Sequence, residues 1–262
     1  ANNHATQAML FTAAVFACLV LLRFPPEDRF FSTGALLVFT GILVLNLLLV
    51  TPGRCGYLAL IVSVMALIFF GWRHNTRAVT MILAPIIIIS VMLAFPVPRA
   101  RMLLILDEMR TYEQDQHETS IGLRMVWWQN TIAMLAKMEH PVIGYGTGGF
   151  ERAYEKHVPE RDGWQGRPTK DPHNQYLKMM AEHGSVGLVL FLCFIASFFR
   201  QAVQGTYYYM GIGILLAWCV TSLIAGHFTT FHEGRFLLIW CGAMLAQVPT
   251  GIKKPTRTIT SH

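Results

Sequence analysis

Long apolar stretches without charge constrain this chain more than any other feature. Seven stand out, at 5–22, 30–53, 55–72, 78–98, 185–199, 201–226 and 236–251. A helix that crosses a membrane needs about 20 mainly apolar residues. The 185–199 stretch is short by itself, but a helix expected just before it can extend it. The 201–226 stretch opens with Tyr207, Tyr208 and Tyr209, which read as an aromatic belt at a membrane surface. Only 14% of residues are charged and 53% are hydrophobic, with mean hydropathy +0.43. Soluble domains carry about 25% charged residues, so the deficit argues for a membrane protein. The net charge of +6 sits in clusters between apolar runs, a pattern of membrane topology rather than of nucleic-acid binding. The five cysteines (Cys18, Cys55, Cys193, Cys219, Cys241) form no CxxC pair and support neither a disulfide framework nor a zinc site. The chain starts at Ala1 without Met or a signal-peptide pattern, and reads as a piece of something longer.

The charges between the stretches set an orientation. Arg23, Arg29, Arg73, Arg77, Arg200, Lys253, Lys254 and Arg257 fall on one side if seven spans alternate. By the positive-inside rule that side is cytoplasmic. The other side then holds residues 1–4, 51–54, 99–184 and 227–235. The expected organisation is four membrane helices over 1–98, a large outer segment over 99–184, and three membrane helices with a cytoplasmic tail over 185–262. The fold class is an all-α polytopic helix bundle with one large, partly helical loop.

The outer segment carries most of the polar residues. Within 121–138, Trp127, Trp128, Ile132, Met134 and Leu135 recur at helical spacing, as in a helix at a membrane interface. His140-Pro141 breaks it, and 144–150 is a glycine-rich turn. Residues 158–170 read as a mobile loop. Asp171-Pro172 is a helix-start signal, with Asp171 as N-cap, and Gly184 is a stop. His173 then sits in the first turn, where the helix dipole disfavours a second proton on the ring. Such an imidazole serves as a base near neutral pH. The plain alternative is a capped surface helix with a solvated histidine.

Two arginines stand apart. Arg54 joins two apolar runs, where it either snorkels at a helix end or clamps an anion. Arg124 lies four residues before Trp128, where it touches lipid phosphates or binds a phosphate of a substrate, for which a guanidinium fork is suited. Gly144–Gly149 could cradle a phosphate with its N–H groups, though it lacks the Lys and Ser/Thr of a P-loop. Asp107, Glu108, Glu113, Asp115, Asp171 and Glu182 offer no clean metal site. His227, His232, Glu233 and Arg235 cluster in the last outer loop.

Three ordered motifs carry a family resemblance. Gly53-Arg54-Cys55-Gly56-Tyr57 resembles the Ser-x-Arg-Thr-Gly-Tyr signature of O-antigen ligases. Arg124 with Trp128, then Pro141 and Gly144-Tyr145-Gly146 through Phe150, resembles the start of their large periplasmic loop. His173-Asn174-Gln175-Tyr176-Leu177, then Glu182, Gly184 and Gly187, resembles their His-Asn-x-x-Leu…Glu-x-Gly-x-x-Gly signature. The likeness runs from about 52 to 187. It departs at Thr51-Pro52, where Ser is common, and at Cys55, where Thr is common.

The resemblance implies a glycosyltransferase of the bacterial inner membrane, with its active site on the periplasmic face. It would move a polysaccharide from undecaprenyl diphosphate to lipid A-core, with inversion and with neither nucleotide nor metal nor other cofactor. Arg54 and Arg124 would bind the diphosphate, and His173 would be the general base. Tyr57, Gly146, Asn174, Glu182 and Arg235 would support them. An O-antigen polymerase or a protein O-oligosaccharyltransferase shares these motifs and differs in acceptor. A lipid or glycan transporter is a more remote alternative, because ionisable residues avoid the middle of the spans.

Overall fold

The computed structural model describes residues 4–27, 30–51, 53–72, 74–114, 118–158, 164–200 and 205–245. These form ten α-helices and no strand: α1 His4–Arg23, α2 Thr33–Leu49, α3 Arg54–Gly71, α4 His74–Ala94, α5 Pro96–Gln114, α6 Ser120–Ala136, α7 Phe150–His157, α8 Gln175–Phe199, α9 Thr206–Thr221 and α10 Phe231–Leu245. A short 3-10 turn lies at Trp164–Gly166. Of the expected 158–170 loop, 159–163 lies outside the described residues, as does the end of the 236–251 stretch.

Among the described residues, four helices are long and apolar enough to cross a membrane: α1, α3, α4 from Asn75, and α8. The apolar α2 and α9 have 17 and 16 residues, and α10 has 15. At 1.5 Å per residue each covers less than the roughly 30 Å of a hydrocarbon layer. The 201–226 stretch is shorter as a helix than as a sequence, because the chain turns after Thr221 and does not re-enter a helix until Phe231.

The main core is α3 packed between α1 and α9, with α10 beside α9. It includes Met9, Phe16, Ala59, Leu67, Ile214, Trp218 and Leu237. Membrane helices gain little from apolar burial alone, so close packing and hydrogen bonds hold them together. Both are present here. A Cβ on Gly56 would lie 2.6 Å from the Ala8 Cβ, so glycine lets α3 meet α1. Thr12 donates to the Gly56 carbonyl at 3.0 Å, and Ser63 to the Gly213 carbonyl at 3.3 Å. This contact fixes Arg54, at the start of α3, beside the polar segment. The outward faces of α2 and α4 stay apolar and exposed, with Leu37, Val38, Ile42, Ile82 and Ile86 among them.

Between α4 and α8 the chain builds a second layer. α5 follows α4 almost at once and packs against α6, and α7 and α8 pack on α6 in turn. Met134, Phe150, Ala153, Tyr154 and Ala181 form its core. Thr119 caps α6 by accepting from the Gly122 N–H at 3.0 Å.

The start of α8 corrects the expected register. Its N-cap is Asn174, not Asp171, and its side chain accepts from the N–H groups of Tyr176 and Leu177 at 3.0 and 3.1 Å. His173 therefore lies before the helix, in the left-handed region at φ 52°. Asp171 instead accepts from the His173 N–H at 2.7 Å, a local turn that competes with capping. Gly184 breaks the helix as expected, at φ 64° and ψ −165°, but α8 resumes at once.

A break inside a helix strands carbonyls before it and N–H groups after it. The 141–146 turn takes up both sets. Tyr145 and Gly146 donate to the carbonyls of Ala181 and Glu182 at 2.8 and 2.9 Å. Ser185 and Val186 donate to the carbonyls of Pro141 and Val142 at 2.9 and 3.2 Å. A Cβ on Gly184 would lie 2.3 Å from the Val142 oxygen, so the two backbones mate only with glycine there.

Candidate active site

Arg54 points from the first turn of α3 to α5. Its guanidinium forks onto Glu108, with bonds of 2.7 and 3.1 Å. Glu108 also accepts from the Ile121 N–H at 3.2 Å, at the start of α6. The Arg54 hydrogen bond holds the Glu108 carboxyl below its ordinary range, against the opposing effect of burial. One carboxylate thus ties together α3, α5 and α6.

These helices enclose a cavity of about 600 Å³. Arg54, Arg101, Arg124 and Glu108 supply its charges, and Leu58, Ile61, Met102, Ile105 and Met125 much of its apolar wall. Three guanidiniums face one carboxylate, so the cavity is positive. Neither Arg101 nor Arg124 has an ion-pair partner among the described residues. A guanidinium beside apolar walls is costly until a counter-charge arrives. The arrangement suits an anion joined to an apolar chain.

A second cavity, of about 510 Å³, adjoins α6 and is lined by Glu118, Thr119, Ser120, Leu123, Arg124, Trp127 and His173. Arg124 belongs to the wall of both. The His173 ring stacks on Trp127, with centroids 5.2 Å apart and planes 21° apart. Trp128 donates from Nε1 to the Pro172 carbonyl at 2.8 Å and pins the same segment. The tryptophans of α6 therefore hold the histidine from two sides. Burial lowers the His173 pKa from its usual 6.5; nearby Asp171 opposes this, and Arg124 and Lys178 add to it. Burial, with the nearby cations, favours the neutral ring at physiological pH. Lys178 and Asp171 approach to 3.4 Å.

The structure brings Arg54, Arg124 and His173 to two adjoining cavities. Tyr57 lines the first, with its hydroxyl donating to the carbonyl of Thr51 at 3.2 Å. Asn174 is a helix cap. Gly146 and Glu182 meet through backbone at the α8 break, away from both cavities, and Glu182 is buried there. Arg235 is exposed, with its guanidinium 3.6 Å over the Phe231 ring. His227 and Glu233, from the last outer loop, are 2% and 3% exposed and bonded to each other in the interior. Sequence reading gave no role to Glu108 or Arg101. Arg101, Ile105 and Glu108 recur at helical spacing on α5, but nothing local marks Arg54 as their partner. Among the described residues no three His, Cys, Asp or Glu side chains are grouped to hold a metal ion.

A family profile described as O-antigen ligase matches residues 39–192, which include Arg54, Arg124 and His173. The chain belongs to the O-antigen ligase family. An uncharacterised protein of Haemophilus influenzae is 26% identical over 191 residues, covering 70% of this chain. The match takes in 46% of that protein's length, so this chain spans about half of its relative. With this family assignment, the apolar helices are those of a membrane protein.

Proposed function

We propose that this O-antigen ligase family protein transfers a glycan from undecaprenyl diphosphate to the lipid A-core of lipopolysaccharide, with inversion. The observation that carries the reading is the pair of cavities joined at Arg124. One offers guanidiniums beside an apolar wall, and the other holds a neutral histidine. The diphosphate would lie against Arg54 and Arg124, and the polyprenyl chain along Leu58, Ile61 and Met125. His173 takes the proton of the acceptor hydroxyl as its oxygen attacks the anomeric carbon. The bond from that carbon to the diphosphate oxygen breaks, and its electron pair goes to the leaving diphosphate. Arg54 and Arg124 stabilise the growing charge. Asp171, through the His173 N–H, holds the base in its left-handed conformation.

In this reading the bundle has seven spans, counting the shorter α2, α9 and α10, and the α5–α7 layer faces the periplasm of a bacterial inner membrane. The test is transfer in vitro with purified protein, a defined undecaprenyl-diphosphate-linked glycan, and either lipid A-core or peptide as acceptor. Glycan on the core with inverted linkage supports the ligase. Extension of one carrier-linked glycan by another assigns a polymerase, and glycosylated peptide assigns a protein O-oligosaccharyltransferase. Movement of lipid across liposomes without transfer overturns the enzyme reading.

A further inference from the structure

Of the arginines on α5, one is set apart by its surroundings. Arg99 and Arg110 are exposed, whereas Arg101 is half-buried and lines the cavity between α3, α5 and α6. Arg101, Ile105 and Glu108 follow at helical spacing, so one face of α5 carries all three into that cavity. Arg124 lines the same space from α6. Arg54 lines it from α3, with both terminal nitrogens already committed to the two Glu108 oxygens, at 3.1 and 2.7 Å. Arg101 stands about two turns of α5 from Glu108, roughly 10 Å of helix rise. Among the described residues no ion pair reaches Arg101 or Arg124.

Each charge of the cavity can therefore be assigned. Glu108 offsets Arg54, and the charges of Arg101 and Arg124 are left over. Such an excess beside apolar walls is unfavourable until a counter-charge enters. The excess also selects the charge of the ligand. A phosphate esterified on both sides carries one negative charge, and a diphosphate esterified at both ends carries two. The first leaves one guanidinium uncompensated, and the second matches both. A third negative charge develops only when the bond from the diphosphate to a sugar breaks and its electron pair stays on the diphosphate. Arg54, already at the cavity wall and balanced by Glu108, is the cation next to that charge. An arginine that merely touches lipid phosphates accounts for the exposed Arg99 and Arg110, but not for a half-buried guanidinium on a cavity wall.

We propose that Arg101 is a further donor-binding residue, and that with Arg124 it makes the cavity prefer a polyprenyl carrier bearing two phosphates over one bearing a single phosphate. That the ligand is a glycan donor rests on the glycosyl-transfer reading. The preference for two phosphates is a property of the cavity, and it is measured without any transfer.

The test is equilibrium binding to the full-length protein in nanodiscs, with no acceptor present. The two probes are one sugar on undecaprenyl diphosphate and the same sugar on undecaprenyl monophosphate. Wild-type protein is expected to bind the diphosphate probe more tightly. Arg101→Gln should weaken that probe about 10-fold, the worth of a hydrogen bond to a charged group, and leave the monophosphate probe nearly unchanged, because Arg124 alone balances it. Arg101→Lys keeps the charge and should keep the preference. Arg110→Gln, on the exposed side of the same helix, should alter neither affinity. Equal affinity of wild type for the two probes overturns the proposal. So does an equal loss for both probes in Arg101→Gln, a lost preference in Arg101→Lys, or a loss in Arg110→Gln as large as in Arg101→Gln. Thermal unfolding checks that each variant is folded. Independently of any variant, a structure of the wild-type protein with the diphosphate probe should show a phosphate within hydrogen-bond reach of the Arg101 guanidinium, and a phosphate beyond its reach overturns the assignment. If wild-type protein binds with this preference yet transfers no glycan to any acceptor, the function reading fails while Arg101 stands as a diphosphate ligand.

Discussion

Two cavities of similar size differ in how their charges are balanced. The one between α3, α5 and α6 sets Arg54, Arg101 and Arg124 against Glu108, beside apolar side chains. The other, of about 660 Å³, lies at the glycine-rich turn and α7 and sets Arg152 and Lys156 against Glu139 and Glu151. Its charges cancel, and Lys170 approaches Glu151 to 3.4 Å from the loop that precedes His173. Volume does not distinguish the two cavities. An excess of guanidinium beside apolar walls does, because that charge stays unfavourable until an anion binds. The larger cavity has no such demand.

The strongest break of this comparison is His173→Ala. If the positive cavity and its neighbour form the site, transfer falls about 10²- to 10⁴-fold with folding preserved, as measured by initial rates and circular dichroism. Wild-type rates would detach His173 from the arginines. Next comes Arg124→Ala, which removes the one side chain shared by both cavities. A loss of about 10²-fold in kcat is expected, as for one donor to a developing negative charge. Arg54→Lys keeps the charge and removes the fork that grips Glu108. It should cost about tenfold, the worth of a charged hydrogen bond.

The pH profile sharpens the comparison without disturbing the fold. Burial lowers the His173 pKa, so the base stays neutral into mildly acidic solution. The acidic limb of kcat/KM is expected below pH 6.5, and a limb at neutral pH counts against His173. Asp171 raises that pKa, so Asp171→Asn should move the limb further toward acid. The smallest effect is expected from Arg152→Ala at the balanced cavity, which should leave the donor KM unchanged. A raised donor KM would mean that the diphosphate binds there instead.

Local sequence carried the helices that packing does not alter. The α1 and α3 boundaries follow from charge-free runs ending at Arg23 and beginning at Arg54. It misplaced the start of α8, because an aspartate before a proline serves equally as a cap and as the acceptor of a local turn. Asn174 takes the cap, and Trp127 and Trp128 hold the His173 segment in the turn. The Arg54–Glu108 pair was out of reach for a different reason: its members are 54 residues apart, and only the tertiary fold brings them together. The burial of His227 and Glu233 was hidden likewise, since a polar loop between apolar runs gives no sign of folding inward.

The break in α8 also works as a depth gauge. Lipid tolerates no unpaired backbone, so the 141–146 turn that completes Gly184's hydrogen bonds cannot lie loose within the hydrocarbon. Gly184 must sit at a boundary of that layer or be walled off by protein. If Gly184 sits at that boundary, the helix has only Ser185 to Phe199 in which to cross, about 22 Å at its ordinary rise. That is short of an average bilayer, so the lipid must thin around α8 or neighbouring helices must cover the remainder.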